Sequence, residues 1–248
     1  MIRSERVRAA GVACGRDLSR RRVALTLLTV LPLAFYAASA GEAEHGVEVG
    51  GIAMAFSVTG AAIFAAMTSR AADQRLTLAG YSPLELLLGR LLVLVLLGFA
   101  VAAIFATVIA ATSRISDLTA LAGALALVVV IGVPFGLAVG ALTPRELDAV
   151  LVMVGVVGVQ LSLVGTELVA KLLPFWGPHR LLNLATGDRL AALEPALAAV
   201  GYALGLLLAA ALLMAQRLRI EAPRPSAKRR TLPPRASRPA SFSTEEGN

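Results

Sequence analysis

Six blocks of roughly twenty apolar residues, near 23–40, 50–68, 90–111, 119–142, 148–168 and 196–216, constrain this chain more than any other feature. A bilayer core about 30 Å thick is crossed by about 20 residues of helix, so each block has the length of a span. Within lipid the backbone must satisfy its own hydrogen bonds, which a helix does inside one segment. The sequence therefore predicts an all-α polytopic membrane protein with six transmembrane helices. Composition agrees, with 57% hydrophobic and 16% charged residues, where soluble domains carry about a quarter charged. Spans and connections occupy most of the 248 residues, which leaves no place for a sizeable soluble domain.

Charge placement gives an orientation. With the N-terminus inside, 19 of the 23 Lys and Arg fall on the inner side: the leader arginines, Arg70, Arg75, Arg90, Arg145 and the tail. Only Arg114, Lys171, Arg180 and Arg189 fall outside. Lys and Arg concentrate on cytoplasmic loops, so the expected topology is N-in, C-in. Residues 1–22 place Val7, Ala10, Cys14 and Leu18 on one helical face among arginines, as expected of an amphipathic helix on an anionic inner leaflet. A basic leader that only sets topology is the plainer alternative. The Val23–Ala40 run is long enough to span, so the leader is expected to stay rather than be cleaved. Residues 217–248 are rich in Pro, Arg and Ser and are expected to be a disordered basic tail.

Several functions are disfavoured. The net charge of +7 lies beside apolar blocks rather than along a soluble face, so no nucleic-acid partner is expected. Cys14 is the single cysteine, and His45 and His179 are far apart, so no metal site is expected. There is no G-x-x-x-x-G-K-[ST] phosphate loop and no nucleophile with an adjacent base inside a span, so no catalytic residues are assigned.

The most informative polar segment is 70–90. Asp73, Gln74 and Arg75 open a short helix, Leu76 and Leu78 follow, and Gly80-Tyr81 breaks it. Ser82-Pro83 with Glu85 then forms a capping box with Pro in the first turn of a helix that runs into the third span. This order resembles the coupling-helix region of type-2 ABC exporter permeases. Two further segments are similar to that family: Phe135–Leu142 before the turn 143–148, and the outer 169–195 connection with Pro174-Phe175-Trp176-Gly177-Pro178, as a hairpin or re-entrant piece. Asn183 is followed by Leu184 where the family has Pro. The resemblance covers about residues 1–216.

That resemblance implies a permease subunit of the bacterial inner membrane. It would export an amphiphilic small molecule, antibiotic or lipid, with efflux as its cellular role. It also implies a separate cytoplasmic ABC ATPase, with ATP and Mg on that partner and no cofactor on this chain, and a second permease copy or paralogue. The ATPase-docking surface would comprise Asp73, Gln74, Arg75, Leu76, Leu78, Tyr81 and Ser82. From the residues themselves, Ser57, Thr59, Gln160, Ser162 and Thr166 are candidate polar contacts along a path. Gly132, Gly136 and Gly140 recur every fourth residue as a helix-packing face. Phe175 and Trp176 are placed at the outer interface or an outer gate. An ATP-independent transporter or channel, and a membrane scaffold, are the alternatives; the capped inner elbow favours the first function.

Overall fold

The computed structural model describes residues 4–39, 43–162, 167–186 and 192–220, and every regular element among them is an α-helix. In chain order these are α1 (Ser4–Arg20), α2 (Arg22–Ala38), α3 (Ala43–Thr68), α4 (Arg70–Leu78) and α5 (Pro83–Thr112). They are followed by α6 (Leu118–Leu142), α7 (Glu146–Ser162), α8 (Glu167–Ala170), α9 (Trp176–Thr186) and α10 (Leu193–Ile220). Among the described residues, four stretches are long and apolar enough to cross a membrane: His45–Thr68, Pro83–Thr112, Leu118–Leu142 and Leu193–Leu218. The chain thus has the character of a multi-pass membrane protein. The blocks expected as the first and fifth spans form shorter helices, α2 and α7, of 17 residues each. Residues 4–20 and 25–38, bent by 67° to one another, pass the same test only when taken together. The expected tail lies almost wholly outside the described residues.

Helix α6 is the centre of the bundle, and residues 131–140 along it are all buried. It can be enclosed on all sides because its contact face with α3 lacks side chains. A Cβ on Gly136 would lie 2.4 Å from the Thr59 carbonyl oxygen, and one on Gly140 would lie 2.8 Å from the Ala66 Cβ. Gly132 faces the Thr59 hydroxyl in the same way. These three glycines let two backbones approach closely enough to gain dispersion along the whole crossing. Around this pair stand Leu121, Leu125, Val129 and Val133 of α6 with Met54, Val58 and Ala62 of α3, all buried in one core.

The long helices alternate in direction, which gathers the connections at two ends. At one end Arg70 of α4 reaches the carbonyls of Gly140, in the last turn of α6, and of Pro144 just after it, and Met214 and Arg217 of α10 lie beside Asp73. At the other, the Tyr36 hydroxyl of α2 lies 2.6 Å from both Thr112 and Ser113 at the end of α5. There too, the amides of Ser116 and Asp117 bond the Ala185 carbonyl of α9. The ends of α1 and α10 thus share one end of the bundle with α4.

Two expectations about side chains can be compared directly. The α1 stripe of Val7, Ala10, Cys14 and Leu18 is half-buried. It packs on α5, with Gly11 backbone against Gly89 backbone. Phe175 and Trp176, by contrast, do not face outward as interface anchors. Both are buried, and Phe175 meets Phe135 edge-on at 6.1 Å. Their burial follows from α9 folding onto α6 and α10, where Gly177 lies against the Pro195 carbonyl.

Candidate functional site: the α4–α5 elbow

Local chemistry builds the elbow in three steps. Helix α4 ends because Gly80 takes φ +87, a left-handed conformation that glycine adopts without penalty. The Tyr81 amide then bonds the Leu76 carbonyl at 3.0 Å and the Gly80 amide bonds Thr77 at 3.0 Å, which is a Schellman ending. Ser82 next caps α5: its hydroxyl accepts from the Glu85 amide at 3.2 Å, and Glu85 accepts from the Ser82 amide at 2.9 Å. Pro83 sits at the first helical position, where its missing N–H costs nothing. The capping box expected from the sequence is therefore present.

Three arginines fasten this joint to the bundle. The Arg90 guanidinium of α5 donates to Asp73 of α4 at 2.7 Å, with Asp73 only 4% exposed and Arg90 7%. Ser69 adds a hydroxyl bond to the other Asp73 oxygen at 3.3 Å. A buried pair of this kind contributes little net stability, yet removal of one partner costs about 3–5 kcal/mol because a bare charge remains. Arg70 spreads over the C-terminus of α6, donating to Gly140 at 2.9 Å, Pro144 at 2.8 Å and the Thr143 carbonyl. A cation there also meets the negative end of the helix dipole. From α1, Arg6 donates to the Gly80 carbonyl, approaches Glu85 at 4.0 Å and lies 5.3 Å from the centre of the Tyr81 ring.

The residues read from the sequence divide into two faces. Asp73 points inward and is taken up by Arg90, so it holds the elbow rather than lying on its surface. Leu76 and Tyr81 are half-buried against the core, and Ser82 is occupied in the cap. Gln74 and Arg75 are exposed, and Leu78 is 74% exposed, a large apolar side chain on a polar helix. The arginines that brace the joint were legible in the sequence only as topology-setting charges. The available signal was Arg90, a charge that opens an apolar block and needs a partner there.

Of the candidate path residues, Ser57, Thr59 and Gln160 have described side chains. Ser57 and Thr59 are buried in α3, and their hydroxyls have no hydrogen-bond partner among the described residues. Thr59 is sealed behind Gly132 in the α3–α6 contact. The Gln160 side-chain carbonyl on α7 is likewise buried without a partner. Ser162 ends α7, and Thr166 lies outside the described residues. When the chain is compared with known proteins, no family model and no curated protein matches it.

Proposed function

We propose that this chain is the membrane-spanning permease subunit of an ABC exporter, and that the α4–α5 elbow receives a separate cytoplasmic ATPase. The observation that carries this reading is the elbow itself: a nine-residue helix braced to α1, α5 and α6, with Gln74, Arg75 and Leu78 turned outward. A simple connector needs neither a capped restart nor three braces. An input joint needs both, because a displacement at its surface must reach the long helices undiminished. ATP and Mg belong to the partner, and the cargo proposed is an amphiphilic small molecule, antibiotic or lipid.

The topology proposed with this function counts α2 and α7 as spans, giving six with both ends inside. At about 1.5 Å per residue their 17 residues reach about 25 Å, near the lower limit for a span. The elbow end carries Arg6, Arg8, Arg16, Arg20, Arg70, Arg75, Arg90 and Arg145, which supports its placement in the cytoplasm. A second permease copy would complete the path. Exposed apolar residues on α7, among them Leu151 and Val154, and a Gly155 whose Cβ position is empty, are compatible with such a neighbour.

The test is purification of the tagged full-length chain in mild detergent with identification of what accompanies it. An ATPase subunit should co-purify and be lost in the triple variant Gln74→Ala, Arg75→Ala, Leu78→Ala, while the variant keeps its own thermal stability. Wild-type chain without an ATPase, or a triple variant that retains one, sinks the proposal.

A further inference from the structure

A cavity of about 280 Å³ lies between α1, α3, α4 and α5, behind the elbow's braced face. It is open because facing positions are alanine: Ala10 and Ala13 on α1, Ala65 on α3 and Ala72 on α4. Its walls also carry two ion pairs. Arg21 meets Asp17 at 3.4 Å in the half-exposed part, and Arg90 meets Asp73 at 2.7 Å in the buried part. The Arg21 guanidinium is further held 4.6 Å from the centre of the Phe64 ring, at the hinge between α1 and α2.

This lining narrows the ligand class. Small-molecule sites run from about 300 Å³ upward, so the space suits a headgroup-sized moiety rather than a whole amphiphile. Two carboxylates and two guanidiniums leave the walls without net charge, which suits a ligand bearing both signs. Guanidinium forks match phosphate oxygens, and a carboxylate accepts from a primary ammonium. Half-buried α1, with an arginine-rich outer face, is amphipathic in the manner of helices that lie at the headgroup level of a bilayer. We propose that this cavity binds a zwitterionic aminoethyl phosphodiester, the headgroup of a phospholipid, with Arg21 on the phosphate and Asp17 on the ammonium. This site is separate from the outward face of α4 and does not depend on the transport proposal.

The chain contains its own reporter. Cys14 is its single cysteine, and it lines the cavity. Burial pushes its thiol up, against an opposing effect of Arg90, so alkylation is run at mildly alkaline pH. The full-length protein is placed in nanodiscs of phosphatidylcholine alone, or with phosphatidylethanolamine or phosphatidylglycerol added, and the maleimide reaction rate is measured. Phosphatidylethanolamine should slow alkylation about fivefold, the factor for ligand at about four times its dissociation constant, and the other two should not. Ala13→Leu fills the space without touching either ion pair and should abolish the difference, whereas Ala13→Ser should preserve it. Glycerophosphoethanolamine added to detergent-solubilised protein separates the sources. Protection by it supports the headgroup chemistry with a soluble ligand, and protection only in nanodiscs supports the lipid. Equal rates in all three nanodiscs for wild type, or a lipid difference that survives Ala13→Leu, overturns the proposal.

Discussion

The two ends of the bundle are closed by different chemistry. At the elbow end the ties are arginines: Arg6 on the turn, Arg70 on the end of α6, Arg90 on Asp73. At the opposite end they are hydroxyls, backbone and an exposed ion pair: Tyr36 on Thr112 and Ser113, the Ala185 carbonyl on Ser116 and Asp117, and Lys171 on Glu194. Buried charged ties are directional and cost much when one partner is lost, while neutral ties lose about their own net value and exposed ion pairs little. One end is thus built so that single substitutions are severe, the other so that they are graded.

The most severe test is Arg90→Ala, which strands Asp73 and should lower stability by about 3–5 kcal/mol in detergent-based thermal or denaturant unfolding. The paired change Asp73→Leu with Arg90→Met should recover most of that loss. A double variant no better than the single one would show that the pair matters for something other than its charges. Next in size, Gly136→Val should cost about 1–3 kcal/mol by overpacking, since a Cβ there would lie 2.4 Å from the Thr59 oxygen. Gly155→Ala meets nothing within 4 Å and should be neutral or slightly stabilising in the isolated chain. At the opposite end Tyr36→Phe removes one hydroxyl shared by two partners and should cost about 1 kcal/mol. A loss as large as that of Arg90→Ala would erase the contrast between the ends.

The smallest effect concerns pH. His179 of α9 lies 3.6 Å from Glu48, and burial holds its pKa below the ordinary value, offset in part by Glu48 and reinforced by Arg180. The fold therefore favours neutral imidazole. Its contribution is fully present above the unfolded value of about 6.5 and is lost as pH falls through the lower folded value. Melting temperature measured between about pH 7.5 and 5 should decline on the acid side, and His179→Gln should flatten that decline. An unchanged slope in the variant would remove His179 from the account.

What the sequence made legible was local. The apolar blocks, the Ser82–Glu85 cap, the Gly80 break and the every-fourth-residue glycines of α6 depend on neighbours within a few positions, and periodicity exposes them. The ties between elements were not legible, because Arg70 and its carbonyl partners are separated by 70 to 74 residues and Arg6 from Gly80 by 74. No spacing rule links such positions. Asp73 shows the limit well: its residue type and helix were read correctly, but its direction depended on Arg90, 17 residues away across a turn. The burial of Phe175 and Trp176 was illegible for the same reason, since aromatic residues beside an apolar block look alike whether α9 folds inward or not.

The contact of Gly11 with Gly89 has a mechanical consequence. Neither residue has a side chain, and a Cβ on Gly89 would lie 2.7 Å from the Val7 carbonyl and 2.9 Å from the Ala10 Cβ, so the two backbones meet here, and the contact runs on where Gly11 and Gly15 face Val93. Close seating along this stretch couples α1 to α5, so a side chain introduced at position 89 would pry α1 off α5 and draw the Arg6 clamp away from the Gly80 turn.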